Sequence, residues 1–282
     1  MNHPDKIEVA GSGMKNRYRT IIPNEHSRVK LPEINQDPVS SYINANYIRG
    51  YRGEPNAFIA TQGPMSNTVE DFWRMVWHEK APIIVMITKL REKNRVRQSS
   101  SHATVSSFFS STLKSKCESY IPENYSVFGD FEVIVRSISD KDGFILRQLS
   151  LKYLNEEHRI WHYWYTAWPD HKAPNTARQL LELVRAVDQQ RASDTSQQAP
   201  ACTGPTIVHC SAGIGRTGCF IATSVGMQQL QRENSVDILY LLSQMRLDRG
   251  GMVQTNEQYE FIHHALALYE RELPERPAFL LP

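Results

Sequence analysis

The sequence predicts a single α/β domain in which a highly twisted, mixed β-sheet is flanked by helices. Three observations lead there. Ile83-Ile84-Val85-Met86-Ile87 is an unbroken apolar run, the pattern of a central strand buried on both faces. Phe131 to Ile138 and Phe144 to Tyr153 alternate instead, as antiparallel strands with one wetter face do. Stretches with helical spacing of apolar residues lie before, between and after these strands. At 282 residues the chain can bury a full core in one such domain.

In chain order, Thr68 to Glu79 reads as the first helix, followed by the apolar strand at Ile83. The alternating pair Phe131–Ile138 and Phe144–Tyr153 comes next, and Trp161 to Thr166 continues that sheet. Thr176 to Arg191 reads as a helix. Residues 192–205, rich in Ser, Gln, Ala and Pro, read as a surface loop before a short apolar run that ends at Val208. Helices follow over Gly218–Arg232 and Val236–Arg246. Thr255 ahead of Glu257 and Gln258 reads as the start of a last helix over Asn256–Leu273.

Composition narrows the function. A net charge of +2 argues against nucleic acid as the main partner. No apolar stretch approaches the ~18 residues a spanning helix needs. Met1-Asn2-His3-Pro4-Asp5 does not read as a secretory signal. Four cysteines, Cys117, Cys202, Cys210 and Cys219, are too few and too scattered for a disulfide framework. The histidines show no His-Glu-x-x-His spacing, and adjacent His263 and His264 cannot share a helix face. The expectation is a cytoplasmic monomer with no metal and no cofactor.

The densest information sits at Val208-His209-Cys210-Ser211-Ala212-Gly213-Ile214-Gly215-Arg216-Thr217-Gly218. A strand delivers a cysteine to a small-residue loop that ends in arginine, and a helix follows. Strand, tight loop and helix N-terminus make an anion site from backbone N–H groups. Gly213 and Gly215 let the loop curl with positive φ and approach a ligand closely. Arg216 can close the ring with a planar fork suited to two phosphate oxygens. A thiolate at Cys210 would be stabilised in such a cup and aimed at phosphorus. A lone cysteine after a strand is ordinarily a core residue, and the alternative of a nucleotide phosphate loop needs a Gly-Lys-Ser/Thr that is absent. The assembled motif favours cysteine-dependent phosphate chemistry.

This segment resembles the signature loop of the protein tyrosine phosphatases, and other motifs follow in that family's order. Trp168-Pro169-Asp170 resembles their acid loop, and Lys15-Asn16-Arg17-Tyr18 their phosphotyrosine-recognition loop. Tyr42 to Ile48, Thr61-Gln62-Gly63-Pro64 and Asp71-Phe72-Trp73 are similar to its structural motifs. Gln254 to Tyr259 resembles its water-positioning loop. The resemblance runs from about Lys15 to Glu270 and implies the cysteine phosphatase fold. Ser41–Tyr51, Trp168–His171 and Leu247–Gln254 are most similar to the subgroup that acts on mitogen-activated protein kinases, with Thr20 and His171 where most relatives carry Asp and Phe.

The chemistry this implies is two-step hydrolysis of a phosphate monoester. Cys210 attacks in line to give a phosphocysteine. Arg216 and the amides of Ser211, Ala212, Gly213, Ile214, Gly215 and Arg216 spread the transition-state charge. Asp170 is the general acid for the leaving tyrosyl oxygen and then the base for water. By resemblance, Gln254 positions that water and Gln258 supports it. Thr217 can donate a hydroxyl hydrogen bond to the departing thiolate, and His209 tunes the thiolate through hydrogen bonding. Glu92 is expected to pair with Arg216, and Lys116 to approach the acid loop. Tyr18 would wall a cleft deep enough for phosphotyrosine, while phosphoserine would fall short. Thr20, in place of Asp, weakens the grip on a peptide backbone. Arg19 could favour acidic flanking residues or simply be solvated.

The departures from the family pattern define a second reading. The domain is expected over 15–273, between a flexible segment 1–14 and a tail 274–282. An atypical insertion, 95–115, carries eight serines and has the composition of a flexible loop. Its closure can be cheap, because loop cost grows slowly with length; it could also displace Glu92 and Lys116. Ile121 stands where the family pattern has Trp. The resemblance also leads one to expect helices and a basic kinase-docking motif ahead of Lys15, which this sequence does not carry. The alternative function is therefore a catalytically impaired phosphotyrosine-binding or kinase-sequestering module.

Overall fold

The computed structural model describes residues 9–93, 113–169, 172–174, 176–196 and 203–274. Eleven strands are found among them: β1 Arg28–Lys30, β2 Tyr42–Ile48, β3 Phe58–Thr61, β4 Ile83–Met86, β5 Arg91–Lys93, β6 Leu113–Ser115, β7 Tyr125–Phe128, β8 Phe131–Lys141, β9 Phe144–Tyr153, β10 Glu156–Tyr165 and β11 Thr206–His209. Five α-helices accompany them: α1 Val69–His78, α2 Arg178–Ser196, α3 Gly215–Glu233, α4 Ile238–Asp248 and α5 Asn256–Glu272. Nine strands form one mixed sheet in the order β1-β2-β3-β11-β4-β10-β9-β8-β7. Its middle is parallel, with β11 between β3 and β4 and β10 beside β4. The flanks are antiparallel.

The apolar run at Ile83 is buried because both sheet faces are covered. Ile83 and Val85 point into a core shared with α2 to α5, while Ile84 and Met86 point into a second core beneath α1. The same period-two split divides Ile207 from Val208 and Ile59 from its neighbours Phe58 and Ala60. One helix on one face and four on the other thus leave the parallel strands dry, as parallel sheets require. Their C-terminal ends all stop at the edge where the β11–α3 connection lies.

Several boundaries move from where the sequence suggested them. β10 begins at Glu156 rather than Trp161, because Glu156–Ile160 pairs with β9 alone before β4 joins on the other side. β8 runs on to Lys141 past a register irregularity at Val135–Ser137. α2 reaches Ser196, five residues into the segment read as loop, and α4 starts at Ile238 because the Asp237 carboxylate caps the Tyr240 N–H at 2.8 Å. α3 starts at Gly215 instead of Gly218, which puts Arg216 and Thr217 inside its first turn. A 3-10 turn at Ser12–Lys15 already lies within the stretch read as a flexible leader. Residues 1–8, 94–112 and 275–282 lie outside the described residues, as do Asp170, His171 and Cys202.

Candidate active site

β11 is buried at all four positions and carries Cys210 out of the sheet centre into the turn before α3. Cys210 is itself buried, with 5% of its surface exposed. The Gly213 N–H donates to its Sγ at 3.3 Å, so the loop already points an amide at the sulfur. Gly213 has φ +73°, and a Cβ there would strike the Thr61 carbonyl. Gly215 is different from expectation: it is the first residue of α3, without positive φ, and a Cβ there would come within 2.8 Å of the Gln258 side-chain amide, which would have to shift. No side chain caps α3 at Ile214, so the first-turn amides keep their partial positive charge for a ligand.

A cleft of about 450 Å³ opens over Cys210, and Ser211, Ala212, Gly215 and Arg216 line it. Ile214, expected among the binding residues, faces the core instead and offers only backbone. The Arg216 guanidinium donates from Nη1 to Glu92 Oε1 at 2.6 Å, and Glu92 is only 3% exposed. Lys116 Nζ sits 3.6 Å from the other oxygen of Glu92. Both acid and lysine come from β5 and its continuation past β6, whose register Lys93↔Leu113 closes a hairpin around residues 94–112. The ends of the long segment are therefore held in line, and Glu92 is not displaced. Arg216 also lies 5.8 Å from the Trp168 ring centroid. The Trp168 indole donates to the Lys172 carbonyl at 2.9 Å, tying the flanks of the Trp168-Pro169-Asp170 motif; Asp170 itself lies outside the described residues.

Beneath the loop, two buried groups fix the backbone. Arg249, 1% exposed, donates to the Gly213 carbonyl at 2.9 Å and the Ala212 carbonyl at 3.2 Å. Its remaining hydrogen bonds go to Asn46 Oδ1 and Asn44 Oδ1, both at 2.8 Å. Burial lowers the Arg249 pKa to about 10, which still keeps it charged at neutral pH. His209 is fully buried with its pKa pushed down to about 4 by desolvation. Its Nδ1 meets the Cys210 carbonyl at 3.2 Å and its Nε2 meets the Tyr120 hydroxyl at 2.6 Å. His209 therefore holds the backbone of Cys210 and makes no hydrogen bond to its sulfur. Arg249 has no signal of its own in the sequence, since its loop partners lie 36 and 37 residues away and its asparagine partners about two hundred.

The remaining expected residues arrive from α5 and the N-terminal segment. Gln254 and Gln258 line the cleft, with Gln258 Oε1 accepting from the Gln254 N–H at 2.8 Å. Thr255 caps α5 by accepting from the Gln258 N–H at 3.3 Å. Just before them Val253 takes φ +59°, a left-handed conformation that a β-branched residue avoids. It is held there by its N–H on the Ile214 carbonyl at 3.0 Å and by Arg246 donating to the Met252 and Val253 carbonyls, each at 2.9 Å. Thr217 is fully buried and its hydroxyl has no hydrogen-bond partner among the described residues, so the expected bond to Cys210 is not formed.

Tyr18 lines the cleft, with its hydroxyl 2.9 Å from Ser211 Oγ; Thr20 and Ile21 continue that wall. The wall is anchored by Lys15 on Asp71 at 2.9 Å and by Arg17 on the Gly63 and Pro64 carbonyls at 3.0 and 2.6 Å. Cys117 and Cys219 are buried thiols whose pKa burial raises, Cys117 to about 12. Among the described cysteines only Cys210 faces this cleft. The arrangement is a buried thiol with a loop amide on its sulfur, an ion-paired guanidinium on one side of the cleft and an aromatic wall on the other.

Comparison with known proteins agrees with this geometry. The family profile described as Protein-tyrosine phosphatase matches residues 12–268. The chain is 52% identical over 271 residues to Receptor-type tyrosine-protein phosphatase R of Homo sapiens, covering 96% of this chain and 37% of that protein. It is 51% identical to Tyrosine-protein phosphatase non-receptor type 5 of Mus musculus, covering 96% of this chain and 46% of that protein. With Tyrosine-protein phosphatase non-receptor type 7 of Homo sapiens the identity is 46%, over 98% of this chain and 69% of that protein. The chain thus spans little more than a third of the receptor-type relative. On its motifs, its cleft and these matches, the chain belongs to the protein-tyrosine phosphatase family.

Proposed function

We propose that the chain hydrolyses phosphotyrosine in proteins through a phosphocysteine on Cys210. The observation that carries this is the convergence of the Gly213 amide on Sγ with Arg216, locked by Glu92, around one cleft. In the first step the Cys210 thiolate attacks phosphorus and the P–O bond to tyrosine breaks, the leaving oxygen taking the proton of Asp170. Arg216 and the loop amides hold the equatorial oxygens as charge develops. In the second, water held by Gln254 attacks phosphorus, gives its proton to Asp170, and the P–S bond breaks to return thiolate and release inorganic phosphate. Glu92 and Lys116 are positioning residues for Arg216. His209 acts through the backbone that carries Cys210, and Thr217 serves the thiolate only if its free hydroxyl turns toward the sulfur.

The depth set by Tyr18 supports phosphotyrosine over shorter phosphoamino acids, and the activation-loop tyrosine of mitogen-activated protein kinases is the substrate class we favour. The site requires a reduced thiol, which supports a cytoplasmic setting, and no helix among the described residues is long and apolar enough to cross a membrane. We place the chain as a monomer. The reading of a disabled binding module loses its motive, since the hairpin holds Glu92 on Arg216 at the base of the inserted segment.

The test is turnover of an aryl phosphate and a phosphotyrosine peptide by wild type, Cys210→Ser and Asp170→Ala. Wild-type activity, abolished by Cys210→Ser and reduced about 10²- to 10⁴-fold by Asp170→Ala, is expected. A folded wild type that binds the phosphopeptide without turning it over would return the binding-module reading.

A further inference from the structure

The turn between α4 and α5 carries Gln254 into the cleft through a conformation that its own sequence opposes. Val253, 1% exposed, has φ +59°, where a β-branched side chain crowds the backbone. Glycine would take that conformation freely. With valine there the surroundings must impose it, and three hydrogen bonds do so. The Val253 N–H donates to the Ile214 carbonyl at 3.0 Å. Arg246 donates from Nε to the Met252 carbonyl and from Nη2 to the Val253 carbonyl, each at 2.9 Å. Strain of this kind persists only where its surroundings over-determine it, and it gathers at functional sites.

Arg246 lies in the last turn of α4, one helical turn ahead of Arg249. The two guanidiniums divide the site between them. Arg249 holds the Gly213 and Ala212 carbonyls of the loop that carries Cys210, whereas Arg246 holds the two carbonyls just ahead of Gln254. Gln254 lines the cleft, with its N–H on Gln258 Oε1 at 2.8 Å. Without the Arg246 fork, Val253 relaxes toward negative φ. That rotation re-aims the chain at Gln254, while Arg249 and His209 still hold the Cys210 loop.

We propose that Arg246 is a positioning residue for the second chemical step. By locking Val253 in the left-handed conformation it aims the Gln254 amide at the water that attacks the phosphocysteine. In that step the water oxygen bonds phosphorus, its proton passes to Asp170 and the P–S bond breaks, releasing phosphate and thiolate. The inference rests on the phosphocysteine reading above and adds a division of labour to it: the Cys210 loop governs filling of the intermediate, and the Arg246 clamp governs its emptying.

The experiment mixes the full chain rapidly with p-nitrophenyl phosphate. The burst of nitrophenol reads the first step, the steady rate after it reads the second, and acid quenching with labelled substrate counts the phosphocysteine. Arg246→Met should slow the second step roughly tenfold or more and the first less than about twofold, so that phosphocysteine accumulates. Arg246→Lys, a point charge without the fork, should fall between. Adding Val253→Gly to Arg246→Met should restore the second step, because glycine adopts positive φ without help. Thermal melting shows each variant folded, and Arg246→Lys carries the comparison if Arg246→Met does not fold. Equal slowing of both steps, an unchanged second step, or no recovery with glycine overturns the inference. Wild type that releases nitrophenol without any labelled phosphocysteine overturns the phosphocysteine reading itself, whereas wild type that forms it and ignores Arg246 overturns only the clamp.

Discussion

The loop that carries Cys210 and the hairpin that carries Glu92 meet at one guanidinium, yet they are held in unlike ways. The loop is fixed from below by groups inside the protein: Arg249 on two carbonyls and two asparagines, His209 on the Cys210 backbone. The hairpin is a pair of three-residue strands at the rim, outside the main sheet, and it reaches Arg216 through the Glu92 carboxylate. The floor draws its rigidity from desolvated hydrogen bonds, which are expensive to leave unmade. The rim draws its alignment from charge. The floor should accordingly report damage as lost stability and the rim as lost rate.

The largest effect is expected at Arg249. Arg249→Met keeps the volume but leaves the Gly213 and Ala212 carbonyls and two asparagine oxygens without donors. We expect a loss of about 4 kcal/mol of unfolding free energy, read by denaturant titration. A loss under about 1 kcal/mol would mean water replaces the guanidinium and the floor is no stiffer than the rim.

His209 comes next, through pH. Its folded pKa of about 4 lies below the ordinary 6.5, so between those values the unfolded chain binds more protons. Stability therefore falls as pH drops from about 6.5 toward 4, by about 3 kcal/mol from this residue at the lower end. Melting temperatures across that range, with His209→Asn as the comparison, should give a shallower slope in the variant.

At the rim, Glu92→Gln keeps the shape and removes the charge that aligns Arg216. kcat/KM should drop roughly tenfold while the melting temperature barely moves. A variant that unfolded instead would erase the distinction between the two regions. The smallest effect belongs to the segment between Lys93 and Leu113. Replacing residues 94–112 by a four-residue turn should raise stability by about 1 kcal/mol, from shorter loop closure, and leave turnover unchanged.

The same contrast explains what could be read from the sequence. The His209–Gly218 stretch was legible because an anion cup demands small residues, a cysteine and an arginine at fixed places. The strand at Ile83 was legible because burial on both faces leaves no polar alternative. Arg249 was not, since a buried arginine looks like any surface arginine until Asn44 and Asn46 are folded onto it. The sequence pattern starts α3 three residues late, because glycines at 213, 215 and 218 disguise a helix that begins inside the motif. The strain at Val253 was invisible, because valine reads as strand and only Arg246 and the Ile214 carbonyl force it otherwise. The Glu92–Arg216 pair came from resemblance alone; nothing local to either residue announces it.

The order of strands has one more consequence, for a chain cut in two. A nick anywhere between Lys93 and Leu113 divides the protein into a piece carrying β1 to β5 and a piece carrying β6 to β11. The pieces interleave: β11 of the second lies between β3 and β4 of the first, and β10 lies against the other side of β4. Neither half owns a complete sheet, and Glu92 and Cys210 fall in different halves. On the function proposed above, separate halves would be silent and reassembled halves active, and the chain would then serve as its own split reporter.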